Sequence, residues 1–258
     1  MFKVREVFPG VYHIADGLDV YMTLLVGRDR ALLVDTGYGL QDVRKEIRRI
    51  TDVPLTVLLT HGHHDHALGA RWFDEVLLFP QDAEVYRTYT APERREKVAE
   101  NARQHGLPVP QDYLTADYPD PVPAREETLD LGGLHARVVL CPGHTPGSAM
   151  VLVPEYGLLL TGDNWNPCTW LFFPEAVPVR QYLAGMRRFF EENSFTRVLC
   201  PHREAVYERR LPECFLQSLT EERLAAAYSV PLWPGDDIDP CRCDADGEQY
   251  LVFDRKKL

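Results

Sequence analysis

The 258-residue sequence lacks the features that mark membrane, secreted and repeat proteins. Although 45% of its residues are hydrophobic, no stretch approaches the roughly 20 apolar residues that a membrane-spanning helix needs. Its first ten residues interleave charges with apolar side chains, unlike the unbroken apolar core of a secretory signal. No internal repeat indicates a solenoid. We therefore expect a globular protein that works in the cytoplasm.

A disulfide pattern and an excess of positive charge are also missing. The six cysteines are scattered through a chain too long to be a disulfide scaffold, so free thiols are expected. Cys241 and Cys243 form a lone C-x-C pair, which is weak support for a structural zinc site. The 39 acidic side chains exceed the 28 basic ones by 11, which disfavours nucleic acid and anionic membranes as partners. A small-molecule substrate is expected, and a homodimer stays open.

Short apolar runs separated by turn residues predict strands through most of the chain. Residues 81–128 are instead helix-prone and then rich in proline and aspartate, which predicts a helical, lid-like insertion within a single domain spanning 1–258. Strands are predicted over 11–15, 21–26, 31–34, 55–59, 76–79, 136–140, 150–153, 158–160, 197–199 and 250–253. Helices are predicted over 40–50, 69–73, 180–192 and 212–227. This order suits two packed sheets with helices outside.

A cluster of histidines follows the predicted buried strand at 55–59. Four of the nine histidines of the chain fall between positions 61 and 66, together with an aspartate. Imidazole and carboxylate ligands suit zinc, iron or manganese. His61 and His63, two apart in an extended loop, can point the same way, while Asp65 and His66 can serve a second ion.

One short loop cannot complete two coordination spheres, so further ligands must follow other strands. Three polar residues stand directly after predicted strands, where a rigid sheet would hold them: His144, Asp163 and His202. The other four histidines are expected not to be ligands: His13, His64, His105 and His135.

These residues together resemble the metallo-β-lactamase superfamily. The H-x-H-x-D-H motif of that family is matched by His61, His63, Asp65 and His66, and its later metal positions by His144, Asp163 and His202. The segment Val34-Asp35-Thr36-Gly37 resembles its early aspartate motif. The resemblance runs from about residue 11 to 205 and fills all seven metal positions. It implies an α/β fold, the αββα four-layer sandwich, with the metals at one edge of the two sheets.

The resemblance also implies a distribution of ligands. The first metal would be held by His61, His63 and His144, and the second by Asp65, His66 and His202. Asp163 would bridge them, Asp65 and Asp163 are the candidate catalytic residues, and Asp35 would orient a ligand imidazole through its other ring nitrogen. Two divalent ions are expected, with zinc as the first choice and manganese or iron as alternatives.

The expected activity is hydrolysis by a metal-bridging hydroxide, which needs no protein nucleophile. The thioesterase, lactonase and phosphodiesterase members of the superfamily keep an aspartate at the position of Asp163. The resemblance therefore implies a thioester, a lactone or a phosphodiester as the substrate. The sequence departs from the glyoxalase II pattern around Pro201-His202-Arg203-Glu204. Two alternatives stay open, a mononuclear-iron oxidoreductase similar to persulfide dioxygenases and a non-catalytic binding module on the same fold.

An aromatic segment follows Asp163 directly. Its four rings could form an apolar wall of the substrate pocket, or could pack beneath a loop at the edge of a sheet. These candidate pocket residues are Trp165, Trp170, Phe172 and Phe173. Under the first interpretation, the helical insertion could close over the bound substrate.

Overall fold

The computed structural model describes residues 2–231 and 237–258, and its N-terminal half is built on a sheet whose strands follow chain order. The strands of this first sheet are β1 (Lys3–Phe8), β2 (Val11–Ala15), β3 (Tyr21–Val26), β4 (Ala31–Val34), β5 (Leu55–Leu58), β6 (Leu77–Leu78) and β7 (Val122–Pro123). Tight turns make β1 to β4 an antiparallel meander, and β5 to β7 then add in parallel. The predicted meander is confirmed residue for residue. The edge strand β1 was not predicted, because its exposed, charged residues carry little hydrophobic signal.

A second sheet contains most of the predicted C-terminal strands. Its members are β8 (Glu127–Asp130), β9 (His135–Leu140), β10 (Ala149–Val153), β11 (Leu158–Leu160), β13 (Arg197–Leu199) and β14 (Tyr207–Glu208). β9, β10 and β11 are antiparallel, whereas β11 and β13 run parallel. The four strands predicted between 136 and 199 are confirmed to within one residue at each end.

A smaller third sheet was not predicted as a unit. It consists of β12 (Cys168–Leu171), β15 (Tyr228–Ser229), β16 (Pro240–Asp244) and β17 (Tyr250–Asp254). Only β17 was predicted. Cys241 and Cys243 lie two residues apart in β16 and are buried as free thiols in the hydrophobic core.

Apart from the short helix His64–Ala67, which was not predicted, the helices follow the predicted order with shifted ends. They are α1 (Arg44–Ile50), α2 (His64–Ala67), α3 (Ala83–Tyr89), α4 (Pro92–Gln104), α5 (Val179–Glu192), α6 (Arg210–Ser218) and α7 (Glu221–Ala225). The helix predicted over 69–73 is a 3-10 turn. The prediction of one helix over 212–227 was wrong, because the Thr220 side chain accepts the Arg223 N–H and starts a new helix. Within the described ranges, no helix is long and apolar enough to cross a membrane.

The two large sheets pack face to face with helices on both outer sides. Leu32 of the first sheet and Leu160 of the second belong to the core between them. Ile47 of α1 packs on the outer side of the first sheet, and Met186 of α5 on the outer side of the second. The predicted αββα sandwich is therefore confirmed.

The segment at 81–128 contributes α3, α4 and β7, and its middle packs closely against the rest of the chain. Tyr113 is fully buried beside Leu68 and Val98, and its hydroxyl donates to the Tyr38 carbonyl at 2.7 Å. A closing motion of this segment stays a prediction.

The loops that follow β5, β9, β11 and β13 meet at one edge of the sandwich. There, the Ala149 N–H donates to the Thr60 carbonyl across the two sheets at 2.7 Å. The Thr161 N–H donates to the Leu199 carbonyl at 3.1 Å, which joins the ends of the parallel strands β11 and β13. Polar side chains that follow these four strands are thus brought together from distant parts of the sequence.

Candidate metal centre

A change of backbone conformation divides the histidine loop into two pairs of side chains. His63 is extended, with φ −69° and ψ 154°, and caps α2, so Asp65 and His66 lie in a helical turn. His61, His63 and His66 are all buried. The two pairs therefore project from different backbone segments.

The structure brings the seven predicted metal positions together in two groups. Within each group, one ligand atom per residue lies within 4.8 Å of the others. The first group is His61, His63 and His144, and the second is Asp65, His66, Asp163 and His202.

Asp163 lies between the two groups. Its Oδ1 is 3.0 Å from His202 Nε2 and 3.4 Å from His66 Nε2, both in the second group. Its Oδ2 is 3.5 Å from His144 Nε2 in the first group. The carboxylate can therefore reach ions held by either group.

Asp35 fixes the orientation of His66. The His66 Nδ1–H donates to Asp35 Oδ2 at 2.9 Å, which leaves Nε2 to face the second group. Asp35 also accepts from the Thr60 N–H at 2.7 Å and from the Thr60 hydroxyl. Its φ of 65° places it in the left-handed region, a strained conformation that these buried bonds stabilise.

The imidazole of His144 is held by a backbone carbonyl. Its Nδ1–H donates to the Trp170 carbonyl at 2.6 Å, so Nε2 is directed at the centre. His144 Nε2 lies 2.8 Å from His63 Nδ1. Outer bonds of this kind set which nitrogen is free to ligate a metal.

Glu175 is a residue of the site that the sequence did not reveal. His63 Nε2 donates to Glu175 Oε1 at 2.5 Å, and the Tyr89 hydroxyl also bonds this carboxylate. Despite burial, these two partners lower the pKa of Glu175 to about 2. The only signal in the sequence is an acid directly after Phe173-Pro174, at the end of the aromatic segment.

Asp82 was also missed, and it joins the loop of His61 to the loop of His144. Its carboxylate accepts from the Gly62 N–H at 2.9 Å, the Thr145 hydroxyl at 2.8 Å and the Gly147 N–H at 2.6 Å. A side chain at Gly147 would come within 2.7 Å of Asp82, so glycine permits this close approach.

The protonation states of His61, His63 and Asp163 suit a cation. Burial lowers the pKa of His61 well below its usual value, and that of His63 to about 4, so both imidazoles are neutral. Burial would raise the pKa of Asp163, but His202 and His66 hold it well below its usual value. Despite burial, Asp65 and Asp163 raise the pKa of His66 well above its usual value, and Asp163 raises that of His202. Neutral imidazoles and ionised carboxylates are the forms that ligate metals, so His66 and His202 would each release a proton when an ion binds.

Unpartnered atoms test whether a metal fits. Among the described residues, three buried atoms of the centre make no hydrogen bond of acceptable geometry: His61 Nε2, His66 Nε2 and Asp163 Oδ1. The outer bonds of His63 and His144 leave two ring nitrogens 2.8 Å apart, where their lone pairs repel unless both bind one cation. The donor set therefore fits divalent ions.

A cavity of about 740 Å³ opens in front of the two groups. Trp170, Phe172 and Phe173 line it, and the Phe173 ring is 4.8 Å from that of His63. Trp165 does not: it is fully buried in the core, and its Nε1–H donates to Gln249 at 3.1 Å. The expectation that Trp165 lines the pocket is thus corrected, because a polar partner in the core satisfies its indole.

The other histidines lie outside the two groups. His13 bonds the Arg203 carbonyl, His105 the Asn101 carbonyl, and His135 the Glu155 carboxylate. His64 lines the cavity, and its ring stacks on Tyr89 at 5.7 Å.

Comparison with known proteins decides the family. The sequence profile described as the metallo-beta-lactamase superfamily matches residues 15–197, most of the chain. The chain belongs to the metallo-β-lactamase superfamily. Its two donor groups stand at the edge of the sandwich, where the resemblance of the sequence to this superfamily implied them.

Relatives within this superfamily carry different names. The chain is 27% identical to the probable metallo-hydrolase YqgX of Bacillus subtilis, over 54% of this chain and 63% of that protein. It thus matches less than two thirds of that relative. It is 25% identical to the acyl-coenzyme A thioesterase MBLAC2 of Gallus gallus, over 74% of this chain and 72% of that protein. A metallo-beta-lactamase family protein of Thermus thermophilus superposes with a TM-score of 0.62 at 25% identity, covering 86% of this chain and 82% of its own.

Proposed function

We propose that the protein is a dinuclear metal-dependent hydrolase that cleaves an ester-type bond in a small molecule. The observation that carries this proposal is the position of Asp163, within 3.5 Å of ligand nitrogens in both donor groups. His61, His63 and His144 would hold one ion, Asp65, His66 and His202 the other, and Asp163 both. Zinc is the proposed metal, although the same donors suit manganese and iron.

The reaction then follows from the charges of the site. When bound, two divalent ions supply Lewis-acid activation of water and of the attacked carbonyl. Asp65 is held ionised by His66 despite burial, and its Oδ2 lies 3.4 Å from His66 Nε2 and 3.7 Å from His202 Nε2. It can therefore accept a hydrogen bond from the attacking water, although its lowered pKa makes it a weak base. The aromatic wall would exclude bulk water and hold the apolar part of the substrate.

Among the ester-type bonds, we favour a thioester, and keep a lactone and a phosphodiester as alternatives. The name of the relative from Gallus gallus specifies an acyl-coenzyme A thioesterase. The net charge of −11 gives a nucleic-acid substrate no support. A cytoplasmic location and a small-molecule substrate remain part of the proposal, with a homodimer open.

Turnover by metal-loaded protein tests this function. Protein loaded with zinc, manganese or iron is offered pentanoyl-N-acetylcysteamine as the thioester, a γ-lactone, bis-p-nitrophenyl phosphate and, with oxygen monitored, glutathione persulfide. We expect thioester hydrolysis, and a fall in kcat of more than about 100-fold in Asp163→Asn. His105→Ala, which removes an exposed imidazole, is the control.

Two results would replace the proposal. Oxygen consumption with the persulfide, together with no hydrolysis, would establish the iron oxidoreductase alternative. Absence of turnover with every compound and every metal would favour a non-catalytic binding module.

A further inference from the structure

The cavity wall contains a positive charge that the metal centre does not use. Arg94 is the one arginine or lysine among the described residues that line the cavity. Its guanidinium lies over the Tyr89 ring, 4.8 Å from the centroid. The Tyr89 ring in turn lies 4.3 Å from that of His63, so one aromatic ring separates Arg94 from a candidate ligand.

Within the described part of the chain, no carboxylate pairs with Arg94. Two of the described acidic residues of the cavity wall lie outside the metal centre, and both have other partners. Asp237 pairs with Lys256 at 2.5 Å, and Asp254 accepts hydrogen bonds from two backbone N–H groups. In a protein with a net charge of −11, a half-buried arginine that has no acidic partner among the described residues is unusual.

The position of Arg94 in its helix does not favour a cation. Arg94 is the third residue of α4, and the N-terminal turn of a helix carries partial positive charge that disfavours a basic side chain. The stacking on Tyr89 holds the guanidinium at the cavity in spite of this repulsion. Planar guanidinium groups bind carboxylate and phosphate oxygens through paired hydrogen bonds.

We propose that Arg94 binds an anionic group of the substrate, a carboxylate or a phosphate distant from the bond that is cleaved. This inference rests on the proposed function and narrows it to anionic esters or thioesters with an apolar part. The aromatic wall of Trp170, Phe172 and Phe173 receives the apolar part, while Arg94 selects the charged end.

Three thioesters with the same scissile bond test the inference. Pentanoyl-N-acetylcysteamine is neutral, glutaryl-N-acetylcysteamine carries a carboxylate on the acyl side, and pentanoyl-coenzyme A carries phosphates on the leaving side. We expect the wild type to prefer at least one anionic compound. Arg94→Gln should lower kcat/KM for that compound about tenfold, mainly through KM, and leave the neutral one unchanged. Arg94→Lys should recover part of the loss.

The control is Arg103→Gln, which removes the same charge from an exposed position of α4. Thioether analogues of the three compounds cannot be hydrolysed, so calorimetry gives their dissociation constants whether or not the protein is a hydrolase. Anionic analogues that bind through Arg94 without thioester turnover would contradict the proposed function but support this binding site. If wild type and Arg94→Gln both hydrolyse the neutral and anionic compounds with equal kcat/KM, the role of Arg94 is overturned, whereas the proposed hydrolase function still stands.

Discussion

At the scale of single residues, the metal centre depends on side chains that orient the candidate ligands. Asp35, the Trp170 carbonyl and Glu175 each accept from the outer nitrogen of one imidazole, namely His66, His144 and His63. Each of these bonds leaves the inner nitrogen to face the centre. Such partners also make the imidazole a stronger ligand.

Removal of the Glu175 carboxylate should weaken metal binding. Glu175→Ala leaves His63 without its partner at Nε2, and we expect the affinity of the first donor group to fall about 10- to 100-fold. Glu175→Gln keeps a hydrogen-bond acceptor without the charge, so its metal affinity should lie between those of wild type and Glu175→Ala. Competition with a chelating dye measures the affinity. Glu191→Ala, at an exposed position of α5, is the matched control; equal affinities of Glu175→Ala and wild type would refute the orienting role.

Some residues of the site could be predicted from the sequence, and others could not. Ligand residues could be predicted, because chemistry demands His and Asp at fixed spacings directly after strands. Glu175, Asp82 and Arg94 could not, because a lone acid or arginine in a loop or a charged helix has no distinguishing pattern. Trp165 was assigned to the pocket wrongly, because its closeness to Asp163 in the sequence does not determine whether its indole faces the cavity or the core.

At the scale of elements, the loops of the centre are tied together by buried polar bonds. Asp82, at the start of α3, joins the loop after β5 to the loop after β9. His13, in β2, bonds the Arg203 carbonyl at 3.1 Å and so supports the loop that carries His202. Strands and helices outside the centre thus determine its shape.

Loss of Asp82 should destabilise the fold. Asp82→Ala leaves two buried N–H groups and the Thr145 hydroxyl without this acceptor, which we expect to cost about 3 kcal/mol of unfolding free energy. Urea denaturation followed by circular dichroism measures the change. The exposed Asp117→Ala is the control, and a loss for Asp82→Ala no larger than that of the control would contradict the role of Asp82.

His13 should make the stability depend on pH. Burial lowers the pKa of His13 from 6.5 to about 4, so the unfolded chain takes up a proton at a higher pH than the folded protein. Between these two values the unfolded state binds more protons, and stability therefore falls as the pH falls, by about 3 kcal/mol in all.

We expect His13→Gln to remove this part of the slope between pH 6.5 and 4. The unfolding free energies of wild type and variant are measured at several pH values. In their difference, the contributions of the other titrating groups cancel. His105→Gln, at an exposed position, should keep the slope of the wild type. Parallel profiles for His13→Gln and wild type would show that His13 does not contribute.

At the scale of the whole molecule, the order of apolar runs indicated two packed sheets with helices outside, and the resemblance to the metallo-β-lactamase superfamily implied the αββα sandwich. Strands β2 to β5 and β9 to β11 are rich in apolar residues, and their ends were predicted to within a residue or two. The third sheet could not be predicted, because β15 has two residues and β12 lies within an aromatic loop segment. β12 forms through pairing with β17, which lies far away in the sequence, and no local pattern encodes such a pairing.

The packing of the two sheets brings the ligands of the candidate centre together. The first donor group takes ligands from the ends of β5 and β9, and the second from the ends of β5, β11 and β13. Both groups therefore span the two sheets, and Asp163 is the residue close to both. Two ions per chain is the central claim that follows.

Elemental analysis of protein purified without chelator tests that claim most directly, for wild type, His61→Ala and His202→Ala. We predict two divalent ions per chain in the wild type, and a lower content in each variant, because each removes a ligand from a different group. One ion per chain in the wild type, lost in His61→Ala but retained in full in His202→Ala, would contradict the dinuclear centre.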